Sequence, residues 1–279
     1  MNLGIRAHDV KPLPFEELVK EIHEEGFGCC HLALYRAVRD FPVDTAAMTP
    51  GLAMYMKKVF EKNQVDVAIL GCYKNLANPD PAQLAEITES YKAHIRFASL
   101  LGCGMVGTET GAVNTEYRYE PANGSEEALQ IFIENLKPVV EYAEKLGVIF
   151  AIEPVWSHIV CNGERCRRVL DAVNSPNLQV IFDPVNQLNV ENCEGHEDLI
   201  KEAFSLYGKE IAAIHAKDYR IGPDGQFESV ASGFGQLNYS LLMHYVKKMK
   251  PHIHVTLEDS VPENALAARD YVLKKYEEA

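Results

Sequence analysis

Positive charge is scarce in these 279 residues: 27 Lys and Arg stand against 40 Asp and Glu, a formal net charge of −13. A surface of that sign repels a phosphate backbone, and no Lys/Arg stripe interrupts it, so no nucleic-acid partner is expected. No apolar run approaches the length of a membrane span. The opening Met1-Asn-Leu-Gly-Ile-Arg-Ala-His-Asp9 also lacks the apolar core of a signal peptide. The expectation is a cytoplasmic protein with no membrane partner. The seven cysteines include no metal-type Cys-x-x-Cys pair, which fits reduced thiols. Cys29 and Cys30 are adjacent, so on a strand they point to opposite faces and read as packing residues. Neither Gly-x-Gly-x-x-Gly nor a Walker loop occurs, and Gly233-Phe-Gly235 comes too late in the chain to be a dinucleotide fingerprint.

With 47% hydrophobic and 24% charged residues, the chain has the profile of a soluble globular protein. Apolar strand candidates begin near Leu3, Gly28, Asp66, Gly104, Val148, Leu178, Ile211 and Ile253. Helical stretches follow each, about Phe15–Glu25, Leu52–Asn63, Pro81–Leu101, Glu126–Leu146, Gly163–Val173, Glu197–Tyr207, Ser240–Met249 and Pro262–Glu277. Gly26, Gly102 and Gly147 come just after the first, third and fourth helices, where a left-handed residue ends a helix. Eight such units and no composition break predict one domain over residues 1–279, a single (β/α)₈ TIM barrel of the α/β class. A doubly wound open sheet uses the same alternation; the near-regularity of the units favours closure.

Four consecutive strand candidates end on polar residues. They are Glu153 after Val148-Ile-Phe-Ala-Ile, Asp183 after Val180-Ile-Phe, His215 after Ile211-Ala-Ala-Ile and Glu258 after Val255-Thr-Leu. Singly, each could be a helix cap or a loop residue. On adjacent strands of a closed parallel barrel, however, they ring one mouth. Three carboxylates and an imidazole then converge, a donor set suited to a divalent metal such as Mn²⁺, Mg²⁺ or Co²⁺. Period-2 alternation puts Ile149, Ala151 and Glu153 on the inner face of the fifth strand, and His254, Thr256 and Glu258 on that of the eighth. His215 and Lys217 share the inner face of the seventh.

In that order and spacing, Glu153, Asp183, the His215-Ala-Lys-Asp218 segment and Glu258 resemble the xylose isomerase-like superfamily of barrels. It holds sugar isomerases and epimerases, inosose-type dehydratases and endonuclease-four-type enzymes. The Gly233-Phe-Gly-Gln-Leu237 loop is similar to the glycine-containing loop before the penultimate helix there. The resemblance implies a Glu/Asp/His/Glu site for one divalent ion, Mn²⁺ first, with Mg²⁺, Co²⁺ or Zn²⁺ as alternatives. It further implies that Glu153 and Glu258 remove and return a proton while touching the metal. A carbonyl beside a hydroxyl-bearing carbon turns acidic when a cation polarises both oxygens, because the enediolate charge is neutralised as it forms.

The expected activity is therefore a metal-dependent isomerase or epimerase of a small-molecule carbohydrate. An inosose-type dehydratase is the alternative, and an endonuclease-four-like DNA repair enzyme comes well behind. Identical chains assembling into an oligomer are compatible with the sequence. The chain departs from many epimerases in having Asn186, not His, three residues after Asp183, and Trp156-Ser-His158 after Glu153. His8, Glu109, Trp156, Asn186 and Lys217 are the expected substrate-binding residues. Trp156 would cover an apolar sugar face or simply pack its loop. Lys217 would donate to a developing oxyanion or pair with Asp218 or another neighbour. Acids at Glu258-Asp259 occupy the place where barrels commonly build a phosphate site, so an unphosphorylated substrate is expected; Arg6, which shares the inner face of the first strand with His8 and could pair with an anion, is the main threat to that expectation.

Overall fold

Eight parallel strands close into a barrel in the computed structural model, which describes residues 1–279. They are β1 (Asn2–Arg6), β2 (Cys29–Leu32), β3 (Asp66–Gly71), β4 (Met105–Glu109), β5 (Ile149–Glu153), β6 (Leu178–Phe182), β7 (Ile211–Ala216) and β10 (His254–Leu257). β1 pairs with β10 and closes the ring, with Ile5 opposite Leu257. The open-sheet alternative is thereby excluded. A two-stranded antiparallel hairpin, β8 (Asp218–Ile221) and β9 (Phe227–Val230), stands apart after β7.

The helices are α1 (Phe15–Glu24), α2 (Leu34–Ala37), α3 (Pro50–Lys62), α4 (Pro81–Leu101), α5 (Glu126–Leu146), α6 (Gly163–Val173), α7 (His196–Tyr207), α8 (Tyr239–Met249) and α9 (Ala265–Glu278). None is long and apolar enough to cross a membrane. Their ends follow local chemistry. In α4, the Asp80 side chain accepts from Ala82 N and Gln83 N, Pro81 takes the first turn, and Gly102 closes the helix at φ 86°. Ser125 caps α5 by accepting from Ala128 N. Nearby Asn123 instead ties loops together, its side chain bonding Val113 N, Arg118 O and Ser157 O.

Two hydrophobic layers result. A large cluster fills the space between strands and helices. A small inner one, including Cys29, Ile69, Met105, Ala151, Ile181 and Ala213, fills the barrel below its mouth. Cys30 belongs to the outer cluster and Cys29 to the inner, as adjacent strand residues must. All seven cysteines are free thiols. Space in the inner layer is tight: a Cβ at Gly107 would lie 2.6 Å from Ile181 Cδ1 and 2.7 Å from Ile69 Cγ2. Two residues above four of these inner residues stand His31, Glu153, Asp183 and His215, so strand alternation lifts polar groups to the mouth.

Candidate metal and substrate site

Glu153 ends β5, His215 lies in β7, and Asp183 and Glu258 directly follow β6 and β10. Their ligand atoms all lie within 4.8 Å of one another, and all four residues are buried. Glu153 Oε1 accepts from the Asn186 side chain at 2.6 Å and stands 3.2 Å from His215 Nδ1. His215 Nδ1 is 3.3 Å from Glu258 Oε1. Asp183 Oδ1 accepts from Val185 N and Asn186 N at 2.8 and 3.0 Å, which fixes the carboxylate. Its Oδ2 is buried without a hydrogen bond, although the Lys217 ammonium lies 3.1 Å away in an unaligned charge contact.

An orphaned carboxylate oxygen beside two further carboxylates and an imidazole fits a divalent cation. A second grouping, His31 with His215 and Glu258, also meets the distance criterion. The two rings, however, are stacked with centroids 5.1 Å apart and planes at 7°. Ring nitrogens donate in the plane of the ring, so parallel rings aim their lone pairs side by side rather than at a common ion. The Glu/Asp/His/Glu set is the one whose chemistry suits a metal.

Without a cation these groups perturb one another strongly. Burial alone would lower His215, but Glu258 and Glu153 outweigh it and push its pKa up to about 9. Burial raises Asp183 to about 6, against the pull of Lys217. For Glu258 the opposing burial effect is overcome by His215, Lys217 and Arg6, which hold its carboxyl well below the usual range. Lys217 is likewise raised: the burial penalty yields to Asp183 and Glu258.

Beside this cluster opens a cavity of about 330 Å³. Glu153, Glu258, Lys217 and Asn186 line it together with Arg6, His8, Tyr35, Arg36, His31, Tyr73, Glu109 and Tyr117. His8 sits in a 3₁₀ turn after β1 with both ring nitrogens buried and unpartnered. Burial, then Arg6 and Arg36, lower its pKa to about 4. Glu109 ends β4 opposite Glu153 in the strand register. Burial, then Glu153 and Glu258, raise it to about 7. Arg6 is committed: it contacts Asp9 at 2.8 Å, Asp259 at 3.0 Å and Glu258 at 3.5 Å. Its charge is matched three times over within the fold, leaving little to attract an anion.

Trp156 does not line the cavity. Its backbone N–H is pinned to Asn186 O at 2.8 Å, and its ring packs on Tyr119 at the exposed rim. The aromatic walls are instead Tyr35, Tyr73 and Tyr117. Lys217 also turns away from Asp218, its nearest expected partner. Asp218 is used to close the glycine loop, accepting from Gly233 N and Leu237 N. At Gly235 a Cβ would come within 2.1 Å of Tyr219 O, so only glycine allows that closure.

His31, Tyr73 and Tyr117 escaped the sequence reading. His31 is fully buried and shares a 3.0 Å contact with the Tyr73 hydroxyl through Nε2. A Cβ at Gly71 would lie 2.6 Å from that nitrogen, so the glycine makes room for the ring. Alternation places His31 on the same face as Cys29, which the barrel turns inward, a usable signal. Tyr117 carried none: it lies in a loop at φ 56°, a left-handed conformation rare for an aromatic residue, and packs against His158.

The family model for xylose isomerase-like TIM barrels matches residues 19–275. No curated protein matches the chain significantly by sequence. Among solved structures, a D-tagatose 3-epimerase-like protein superposes with TM-score 0.77 at 18% identity, covering 100% of this chain and 97% of that one. D-Psicose 3-epimerase from Clostridium cellulolyticum H10, solved with D-tagatose, gives 0.74 at 14% identity, with 99% of each chain covered. The IolI protein, solved with a bound zinc atom, gives 0.73 at 20% identity over 100% of this chain and 97% of that one. At these identities the likeness is one of fold.

Proposed function

The chain belongs to the xylose isomerase-like TIM barrel family, and from that premise we propose that it is a divalent-metal-dependent isomerase or epimerase of an unphosphorylated sugar. The observation that carries the reading is the convergence of Glu153, Asp183, His215 and Glu258 beside a cavity walled by hydrogen-bonding groups. These four residues would hold the ion. When bound, it supplies polarisation of a carbonyl and its neighbouring hydroxyl, which makes the intervening C–H acidic. We take Mn²⁺ as the ion that best suits an oxygen-rich set with one nitrogen. The zinc in the IolI structure keeps Zn²⁺ in view.

The protein groups divide the remaining tasks. Glu153 at the end of β5 and Glu258 just after β10, both lining the cavity, take the carbon-bound proton and return it. The Asn186 amide holds Glu153 at 2.6 Å and so fixes the direction of its oxygens. Lys217 donates to an oxygen that gains charge. His8 is kept neutral by burial and two arginines, so it can donate and accept with hydroxyls. Glu109, beside Glu153 in the strand register, offers a further carboxyl to substrate hydroxyls.

Glu109 also supports the dehydratase alternative. A carboxyl pushed up to about 7 keeps its proton near neutrality and can protonate a departing hydroxyl. The endonuclease-like reading is weaker, since Asn186 stands where an additional imidazole ligand would be needed.

Turnover in D₂O decides among these. With Mn²⁺ present, D-tagatose, D-psicose and D-fructose should exchange a carbon-bound proton for deuterium, followed by proton NMR, and an isomeric product should accumulate. Loss of water would favour the dehydratase. Absence of carbon-bound exchange in every sugar of a broad ketose and inosose panel would defeat the proposal.

A further inference from the structure

Lys217 lies one residue past β7, buried, with its ammonium 3.1 Å from Asp183 Oδ2 and 3.1 Å from Glu258 Oε2. Both carboxylates are among the four groups assigned above to the metal. Asp183 Oδ1 is occupied by two backbone N–H groups, so Oδ2 is the oxygen free to face a cation. The ammonium already stands beside it. The nearby Arg6 reaches Glu258 Oε2 at 3.5 Å but its shorter contacts are to Asp9 and Asp259, and the ion pair with Asp183 is made by Lys217.

We propose that Lys217 is the internal counter-cation of this site. It holds Asp183 and Glu258 together in the metal-free protein and opposes an entering divalent ion by charge repulsion, thereby setting the affinity for metal. The inference rests on the metal-binding part of the reading above and not on the substrate.

Geometry bounds the effect. An ion bonded at ~2.1 Å to either oxygen lies within about 5 Å of the ammonium, given the 3.1 Å contacts. A dipositive ion that close to a unit charge loses roughly tenfold in affinity even with bulk-water screening, and more where water is excluded. Charge, not the identity of the ion, determines this penalty, so all divalent ions should feel it alike.

The test compares chelator-stripped wild type, Lys217→Met and Lys217→Arg by competition with a metallochromic chelator, using Mn²⁺ and Zn²⁺. Lys217→Met should bind both ions at least ~10-fold more tightly, by a similar factor, and its metal-free form should melt at a lower temperature. Lys217→Arg retains the charge and should stay near wild type in affinity. Unchanged or weaker binding by Lys217→Met overturns the proposal, even where wild type binds both ions. Wild type that binds neither ion refutes the metal site itself. Should Lys217→Met fail to fold, ¹⁵N NMR of the wild-type ammonium groups decides. The Lys217 signal should shift and exchange faster with water on zinc addition; a signal unmoved at saturating zinc counts against the proposal.

Discussion

Raising the pH from 6.5 towards 9 should lower the stability of the metal-free protein and leave that of the metal-loaded protein nearly unchanged. The cause is His215, whose pKa rises from 6.5 to about 9 because Glu258 and Glu153 overcome the effect of burial. A folded-state pKa above the unfolded value gives stability that is complete below 6.5 and lost as pH climbs through 9. A difference of 9 − 6.5 = 2.5 units corresponds to about 3 kcal/mol. For 279 residues this lowers the melting temperature of the stripped protein by about 5 °C. Asp183, at about 6, and Glu109, at about 7, finish their own changes in the lower part of this window and act in the same downward direction. Metal removes the slope because it needs the neutral imidazole, and the tightening of the ion offsets the loss in the metal-free fold. Each ion bound at pH 7 should release about one proton, and affinity should tighten about tenfold per pH unit until the pH nears 9. Thermal melts of stripped and Mn²⁺-loaded protein, with calorimetric titrations in two buffers of different ionisation enthalpy, measure both effects. Metal uptake releasing less than half a proton at pH 7, or parallel melting curves, would refute the reasoning.

The other expectations concern catalysis, substrate and packing. Glu153→Gln and Glu258→Gln should each fold yet lose ~10²–10⁴-fold in turnover once metal occupancy is matched, as assayed by deuterium exchange; near-normal rates would remove the acid–base assignment. Glu258 is already engaged by His215, Lys217 and Arg6, so the larger loss at matched occupancy should fall on Glu153→Gln. A free ketose should be turned over faster than its phosphate ester in matched metal and salt, since Arg6 is committed to three carboxylates; preference for the ester would overturn that. Gly71→Ala puts a Cβ 2.6 Å from His31 Nε2 and 2.9 Å from the Tyr73 ring, and should destabilise by about 1–3 kcal/mol. A melt indistinguishable from wild type would show that the His31 ring is not held as described.

Much of the fold was legible because strand and helix periods were intact and the helix ends carried their own signals. α4, α5 and α6 begin and end on the residues the sequence pattern predicts. Asp80, Ser125, Gly102 and Gly147 are local devices whose effect does not depend on distant partners. The β8–β9 hairpin has no counterpart among the eight units legible in the sequence, although Gly222-Pro-Asp-Gly225 between short alternating runs is a strong turn signal; its Gly222 N–H bonds Gln226 O at 2.8 Å. The cavity wall was harder to read. Which aromatic faces inward depends on loop conformation. Trp156, adjacent in sequence to the Glu153 strand, points to the rim, while Tyr117 reaches the cavity from the middle of a loop.

The proposed metal ligands and the groups around them thus differ in how the sequence encodes them. Glu153, Asp183, His215 and Glu258 are placed by strand registry, which alternation alone makes readable. Their partners are placed by contact. Lys217 shares an inner face with His215, and that much was visible; its choice of Asp183 and Glu258 over Asp218 was not. That choice depends on Gly233 and Gly235, which bring a loop close enough for its backbone N–H groups to occupy Asp218. With Asp218 so occupied, the ammonium is left to the buried carboxylates. A bulky residue at Gly235 should therefore act at a distance, releasing Asp218 to compete for Lys217 and loosening the cation's hold on Asp183.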